Sequence, residues 1–198
     1  MNYLAHAYFS FEQKDILIGN MISDFVKGKT KFNYTASIQK GIQLHRNIDS
    51  FTDNHSATKE AKKVFTPLVR LYAGAFVDVV YDHFLANDKN CFESDKALQT
   101  FVLNTYHTLQ SAYTILPQPF QQMLPYMQQQ NWLYNYQFEW GIEKSFQGVV
   151  RRATYLKNSE TAFIAFQHNY TTLQHCYHHF INDIKQYTQQ QLQELMTT

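Results

Sequence analysis

Leu68-Val69-Arg70-Leu71-Tyr72-Ala73-Gly74-Ala75-Phe76-Val77-Asp78-Val79-Val80-Tyr81-Asp82-His83-Phe84-Leu85 is apolar almost all round. A helix of this kind has no face to give to water, so it belongs at the centre of a bundle. The composition agrees. Six Gly and four Pro in 198 residues are far fewer than turn-rich sandwiches and barrels use. The reading is all-α, one multi-helix bundle over residues 1–198, with no linker, repeat or charge block dividing it.

Working outward, helices are expected over Tyr3–Phe9, Lys14–Phe25 and Thr35–Asp53, with Lys27–Lys31 as a loop. Asn54-His55-Ser56 breaks the third, and a short helix over Thr58–Phe65 should stop before Pro67. Ser94 or Asp95 caps the helix after the central one, which ends near Tyr113. Pro117, Pro119 and Pro125 punctuate a Gln-rich helical stretch. Helices over Phe138–Leu156 and Glu160–Leu195 complete the chain, with Asn158-Ser159 as N-cap of the last.

A net charge of +1 argues against a strongly basic nucleic-acid binder, and no nucleic-acid partner is expected. Cys91 and Cys176 stand far apart in no CxxC pattern, which fits a reducing, cytoplasmic setting. The first residues lack a signal-peptide pattern. The best membrane candidate, Ala73–Leu85, is interrupted by Asp78, Asp82 and His83, so no membrane insertion is expected.

Polar residues on apolar helices carry the functional information. His45 and Asp49 stand at i and i+4, with Asp53 one turn further, so an imidazole and a carboxylate share a face. They either hold one ion or share a hydrogen bond on a half-exposed surface. Asp78 and Asp82 repeat the spacing on the most apolar helix. Two like charges there repel and lose hydration, which calls for a cation, an Arg or a salt-bridge network. His6 and Asp24 lie in apolar stretches near the start of the chain. An oxygen and nitrogen donor set of this kind suits Mn²⁺, Mg²⁺ or Fe²⁺ better than a thiolate zinc site. Gly28-Lys29-Thr30 imitates the end of a P-loop, but Ser23 stands where its first Gly is required. There is no HExxH, no Glu-x-x-His and no Gly-x-Ser-x-Gly. His168, His175, His178 and His179 read as a solvated stripe on the last helix.

Four ordered blocks carry a resemblance. They are Asn2-Tyr3-Leu4-Ala5-His6, Gly19-Asn20-Met21-Ile22-Ser23-Asp24-Phe25-Val26-Lys27-Gly28, Gly41-Ile42-Gln43-Leu44-His45-Arg46-Asn47-Ile48-Asp49-Ser50-Phe51-Thr52-Asp53 and Val77-Asp78-Val79-Val80-Tyr81-Asp82-His83-Phe84-Leu85. With Asn131-Trp132-Leu133, Gly141-Ile142-Glu143 and Arg151-Arg152, they resemble the acyl carrier protein phosphodiesterases over most of the chain to about residue 155. That family is related to the all-helical HD-type metal phosphohydrolases. The resemblance implies a hydrolase dependent on a divalent cation, typically Mn²⁺, that takes 4′-phosphopantetheine off the serine of holo-acyl carrier protein. No His-Asp dipeptide occurs, only the reversed Asp82-His83, so the HD pattern does not assign the ligands.

On this reading Asp24, His45, Asp49, Asp78 and Asp82 form the pool of metal ligands. Asp24 also counts among the residues at the reacting centre. His83 or His6 protonates the leaving oxygen or orients the water. Lys27, Arg46, Arg151 and Arg152 hold phosphate or the acidic carrier protein. The competing readings are a hydrolase of a small nucleotide or phosphomonoester, and a metal-free helical interaction module.

Overall fold

The computed structural model describes residues 1–197, and among them every regular element is helical. In chain order the α-helices are α1 (Tyr3–Tyr8), α2 (Lys14–Ile22), α3 (Ala36–Asn54), α4 (Ser56–Val69), α5 (Ala73–Asn87), α6 (Asp95–Ser111), α7 (Gln118–Gln129), α8 (Trp132–Asn135), α9 (Glu139–Arg152), α10 (Glu160–His168) and α11 (Tyr170–Thr197).

The central helix is α5. Its buried set, including Phe76, Val77, Val80, Tyr81, Phe84 and Leu85, covers nearly its whole circumference. It is wrapped by α1, α4, α9 and α11. Aromatic rings fill much of the space around it: Phe76 packs on Phe65 and Phe146, and Tyr81 stacks on Phe180.

α3 starts where Thr35 Oγ1 accepts from the Ile38 amide, satisfying one of the orphan donors of the first turn. It lies unusually close to α2 because glycines face each other there. A Cβ on Gly19 would collide with the Ile38 carbonyl, and one on Gly41 with the Ile16 carbonyl. This close crossing brings the backbone of Asn20 within reach of a side chain on α3. Ser94 caps α6 as expected, its Oγ accepting from the Ala97 amide.

Several boundaries depart from the sequence reading. α4 does not stop before Pro67 but runs through it to Val69. Phe65 and Val69 bury on one face a turn apart, and that packing outweighs the one backbone bond a proline deletes. The break falls instead at Arg70, with φ 49°, followed by a 3₁₀ turn over Arg70–Tyr72. Lys27–Lys31, expected as a loop, lies largely in an exposed 3₁₀ helix, Gly28–Asn33. The final helix is two helices, broken at Asn169, whose side-chain amide donates to the Ala165 carbonyl. Ser159 precedes α10 without donating or accepting a side-chain cap.

The run Ser56–Asn87 is long and apolar enough to cross a bilayer by length and composition alone, contrary to the sequence expectation. Its apolar residues Phe65, Phe76, Val80 and Leu85 are packed in the core, as in the innermost helix of a bundle.

Candidate metal centre

Two imidazoles and a carboxylate converge where α1 and α2 meet α3. His6, on α1, and His45, on α3, are buried and stacked, with ring centroids 3.8 Å apart and planes 14° from parallel. Asp49, one turn beyond His45, reaches between them. Its Oδ1 lies 3.2 Å from His6 Nε2 and its Oδ2 lies 3.1 Å from His45 Nε2.

Asn20 fixes the tautomers of both rings. His45 Nδ1 lies 2.7 Å from the Asn20 backbone carbonyl, which can only accept, so Nδ1 carries a proton. The Asn20 side-chain amide donates to the His6 carbonyl at 2.8 Å and to Ser10 Oγ at 3.2 Å. Its Oδ1 is therefore the atom 2.8 Å from His6 Nδ1, and that nitrogen is a donor too. Whenever a ring is neutral, its Nε2 is then left with a lone pair aimed at carboxylate oxygen.

Acceptor facing acceptor is unfavourable unless a cation stands between. His6 Nε2 is buried and has no hydrogen-bond partner. Burial, and then the positive charge of His45, push the His6 pKa down to about 4, so no proton fills the gap at neutral pH. At His45 burial also works against the charged form. Hydrogen bonds that the imidazolium donates to Asp24 and Asp49 outweigh it and raise the pKa to about 9. Asp49 is opposed by burial but held well below the usual carboxylate range by the two histidines.

His6 Nε2, His45 Nε2 and an Asp49 oxygen all fall within 4.8 Å of one another, a group that could hold a metal ion. Neighbouring donors around an ion bound at about 2.1 Å lie roughly 3 Å apart, which matches the 3.1 and 3.2 Å separations. Each ring also donates its other N–H to a carbonyl or amide oxygen, the usual second-layer support for a metal-bound histidine. The residues present fit a divalent cation.

Asp24 stands at the rim, with Oδ1 3.2 Å from His45 Nε2 and most of its side chain in solvent. The hydrogen bond from His45 keeps it ionised. Asp78 reaches the same region through a cation: the amino group of Met1 lies 3.0 Å from Asp78 Oδ1 and 3.5 Å from Asp49 Oδ1.

Asp82 and His83 are not brought to this cluster. The Asp82 carboxylate is buried and accepts from the backbone amides of Leu4 at 2.8 Å and Ala5 at 3.2 Å. It thus caps the N-terminus of α1, whose own Asn2 supplies no side-chain cap. Burial raises its pKa to about 7. His83 lies one residue further round α5, where Nδ1 meets the Tyr136 carbonyl at 2.7 Å and Nε2 the Tyr170 hydroxyl at 3.0 Å. His6 stands at the cluster where Asp82 and His83 do not, its Nε2 facing Asp49. Asp53 is paired with Lys62 at 2.7 Å.

Of the cationic candidates, Arg46 donates to the Val26 carbonyl beside exposed Lys27, while Arg151 and Arg152 line a cavity with Asn2 and Tyr3. The residue that sequence reasoning passed over is Asn20. Its signal was a buried carboxamide in the apolar run Ile16-Leu17-Ile18-Gly19-Asn20-Met21-Ile22.

Residues 1–184 match the family model described as acyl carrier protein phosphodiesterase. A protein of that name from Klebsiella pneumoniae is 34% identical over 152 residues, covering 77% of this chain and 79% of its own length. Another, from Pectobacterium atrosepticum, is 32% identical over 136 residues, 69% of this chain and 70% of that protein. A third, from Photorhabdus laumondii, is 28% identical over 170 residues and covers 86% of each. No solved structure matches the chain significantly.

Proposed function

This chain belongs to the acyl carrier protein phosphodiesterase family, and from that premise we propose that it hydrolyses holo-acyl carrier protein, releasing 4′-phosphopantetheine and leaving the serine hydroxyl free. The observation that carries the reading, beside the family match, is the buried His6 Nε2, left without a hydrogen-bond partner where it converges with His45 Nε2 on Asp49. A metal-free interaction module has no use for that orphaned imidazole nitrogen, since it loses hydration and gains no bond.

In the reaction the oxygen of water forms a new bond to phosphorus and the bond from phosphorus to the serine oxygen breaks. The attacking water ends as a hydroxyl of the phosphate monoester, and one proton reaches the serine oxygen. A divalent cation, Mn²⁺ on the family resemblance, would lower the pKa of its water and offset charge on the non-bridging oxygens. His6, His45 and Asp49 would hold it, and Asn20 keeps the two rings turned toward it. Asp24, ionised and exposed at the rim, orients the water by accepting its hydrogen bond. Arg46 and Lys27 stand on the Asp24 side, where the acidic carrier protein approaches.

Mass spectrometry of holo-acyl carrier protein after incubation with the enzyme and Mn²⁺ tests this directly. Loss of the phosphopantetheine group, abolished by His45→Ala and by chelation, is the expected result. An intact holo-carrier beside a hydrolysed nucleotide or phosphomonoester would replace it with the small-substrate reading.

A further inference from the structure

A cavity of about 490 Å³ opens between the start of the chain and α8–α9. Its volume falls within the roughly 300–1,000 Å³ typical of small-molecule sites. Asn2 and Tyr3 belong to its wall, and Tyr3 opens α1, the short helix that also carries His6. One helix thus serves both the cavity and the cluster.

The lining changes character along its length. Arg151 and Arg152 supply two guanidinium groups in the last turn of α9, next to Asn2 and Tyr3. Further up α9 the wall is aromatic. Trp140 carries the Lys144 ammonium 4.9 Å above its ring, and Trp132 adds a second indole. Between these stands Gly148, where a Cβ would meet only the Arg151 guanidinium, at 3.9 Å. Side-chain amides of Asn135 and Gln147 face the same space.

We propose that this cavity binds the pantetheine arm of the substrate, with the phosphate end at Arg151 and Arg152 and the amide chain along Trp140 and Trp132. The inference rests on the hydrolase reading above and adds to it which part of the substrate is recognised. Bidentate guanidinium groups match phosphate oxygens. Indole faces cover a branched aliphatic segment, and side-chain amides pair with the arm's two peptide-like links. A carrier-protein surface is convex and charged, and does not fill an aromatic cavity. The carrier therefore docks outside while its arm is threaded in.

The test is calorimetric titration of the Mn²⁺-loaded protein with 4′-phosphopantetheine, with pantetheine and with inorganic phosphate, for wild type, Gly148→Leu and Trp140→Ala. Gly148→Leu fills the cavity beside the Arg151 guanidinium without removing either arginine, and leucine favours the helix it would stand in. Wild type should bind 4′-phosphopantetheine at least about tenfold tighter than inorganic phosphate. Both variants should lose that advantage, keep their affinity for inorganic phosphate and show a raised KM for holo-carrier protein. Equal affinity for the two ligands in wild type overturns the proposal. So does unchanged 4′-phosphopantetheine binding in both variants. Competition by apo-carrier protein that disappears in Gly148→Leu would assign the cavity to the protein surface and also overturns it. If 4′-phosphopantetheine binds as expected but holo-carrier protein is not cleaved, the hydrolase reading fails and the cavity assignment stands. If holo-carrier protein is cleaved with the same KM by all three proteins, the reverse holds.

Discussion

Metal binding at the His6–His45–Asp49 cluster should expel one proton, and that proton should come from His45. In the metal-free protein the Nε2 of His45 faces two carboxylates and its pKa stands near 9. At pH 7 the ring is therefore almost fully protonated, about two pH units below its midpoint. Deprotonating it then takes about 2.7 kcal/mol, at roughly 1.36 kcal/mol per unit. The apparent Kd for Mn²⁺ should thus be about a hundredfold weaker at pH 7 than its limit above pH 9, and should tighten about tenfold per pH unit between 6 and 8. His6, pushed down to about 4, is already neutral throughout and releases nothing. The sign for stability follows from the same shift. A folded pKa above the unfolded value near 6.5 means that His45 stabilises the metal-free protein below about pH 6.5. That stability is lost as pH climbs through about 9, while the metal-bound form gains over the same range. The measurement is calorimetry of Mn²⁺ binding in two buffers of different ionisation enthalpy at pH 7. Release close to one proton per metal is expected, falling to none in His45→Gln. No release in wild type would mean that Asp24 and Asp49 do not hold that proton. Release near two would mean that His6 is charged as well, and either result refutes the tautomer reasoning.

Four further outcomes are expected. Asn20→Leu leaves the His6 Nδ1–H without its acceptor, while the backbone carbonyl still holds His45; it should weaken Mn²⁺ binding by about 10–100-fold, read by competition with a chelating dye, while helicity is retained. Asp82→Ala should cost about 1–3 kcal/mol in urea unfolding, because two amides of α1 lose their buried partner. Asp82→Asn should flatten the pH profile, since burial lifts the folded pKa of Asp82 to about 7 and the wild type loses that group's contribution as pH rises through 7. Gly41→Ala should destabilise by about 1–3 kcal/mol and weaken metal binding too, because the methyl group pushes α3 away from α2 and lengthens the His45–Asn20 bond. A change in melting temperature with unchanged metal affinity would separate those two effects.

The parts of the fold and site that a sequence exposes are those set within one helix. The all-round apolar character of Leu68–Leu85 placed α5 at the centre, though Leu68 and Leu71 fall before it and are exposed, and the i, i+4 spacing of His45 and Asp49 placed them on one face, because both depend only on helical geometry. What depended on a partner element was not legible. Asp78-Asp82 has the same spacing as His45-Asp49, yet only tertiary packing decides that Asp82 meets the start of α1. His83, about 100° round the helix from Asp82, turns toward Tyr136 and Tyr170 instead. His6 resembled any histidine in an apolar stretch until α1 was laid across α3. The Pro67 stop failed for a related reason, since burial of Val69 is a long-range gain that local propensity does not contain.

The capping of α1 from α5 has a consequence for the order in which the molecule is made. A six-residue helix is far below the roughly 12–15 residues at which an isolated helix becomes marginal in water. Its first turn has no local cap, and two of its amides are answered only by a carboxylate 77 and 78 positions away in the chain. α1 therefore settles only once α5 presents Asp82 and α2 presents Asn20. His6 arrives with it. Until then the cluster has one histidine, and an ion would find an unfinished socket. On the function proposed above, metal loading is thereby tied to the docking of one short helix.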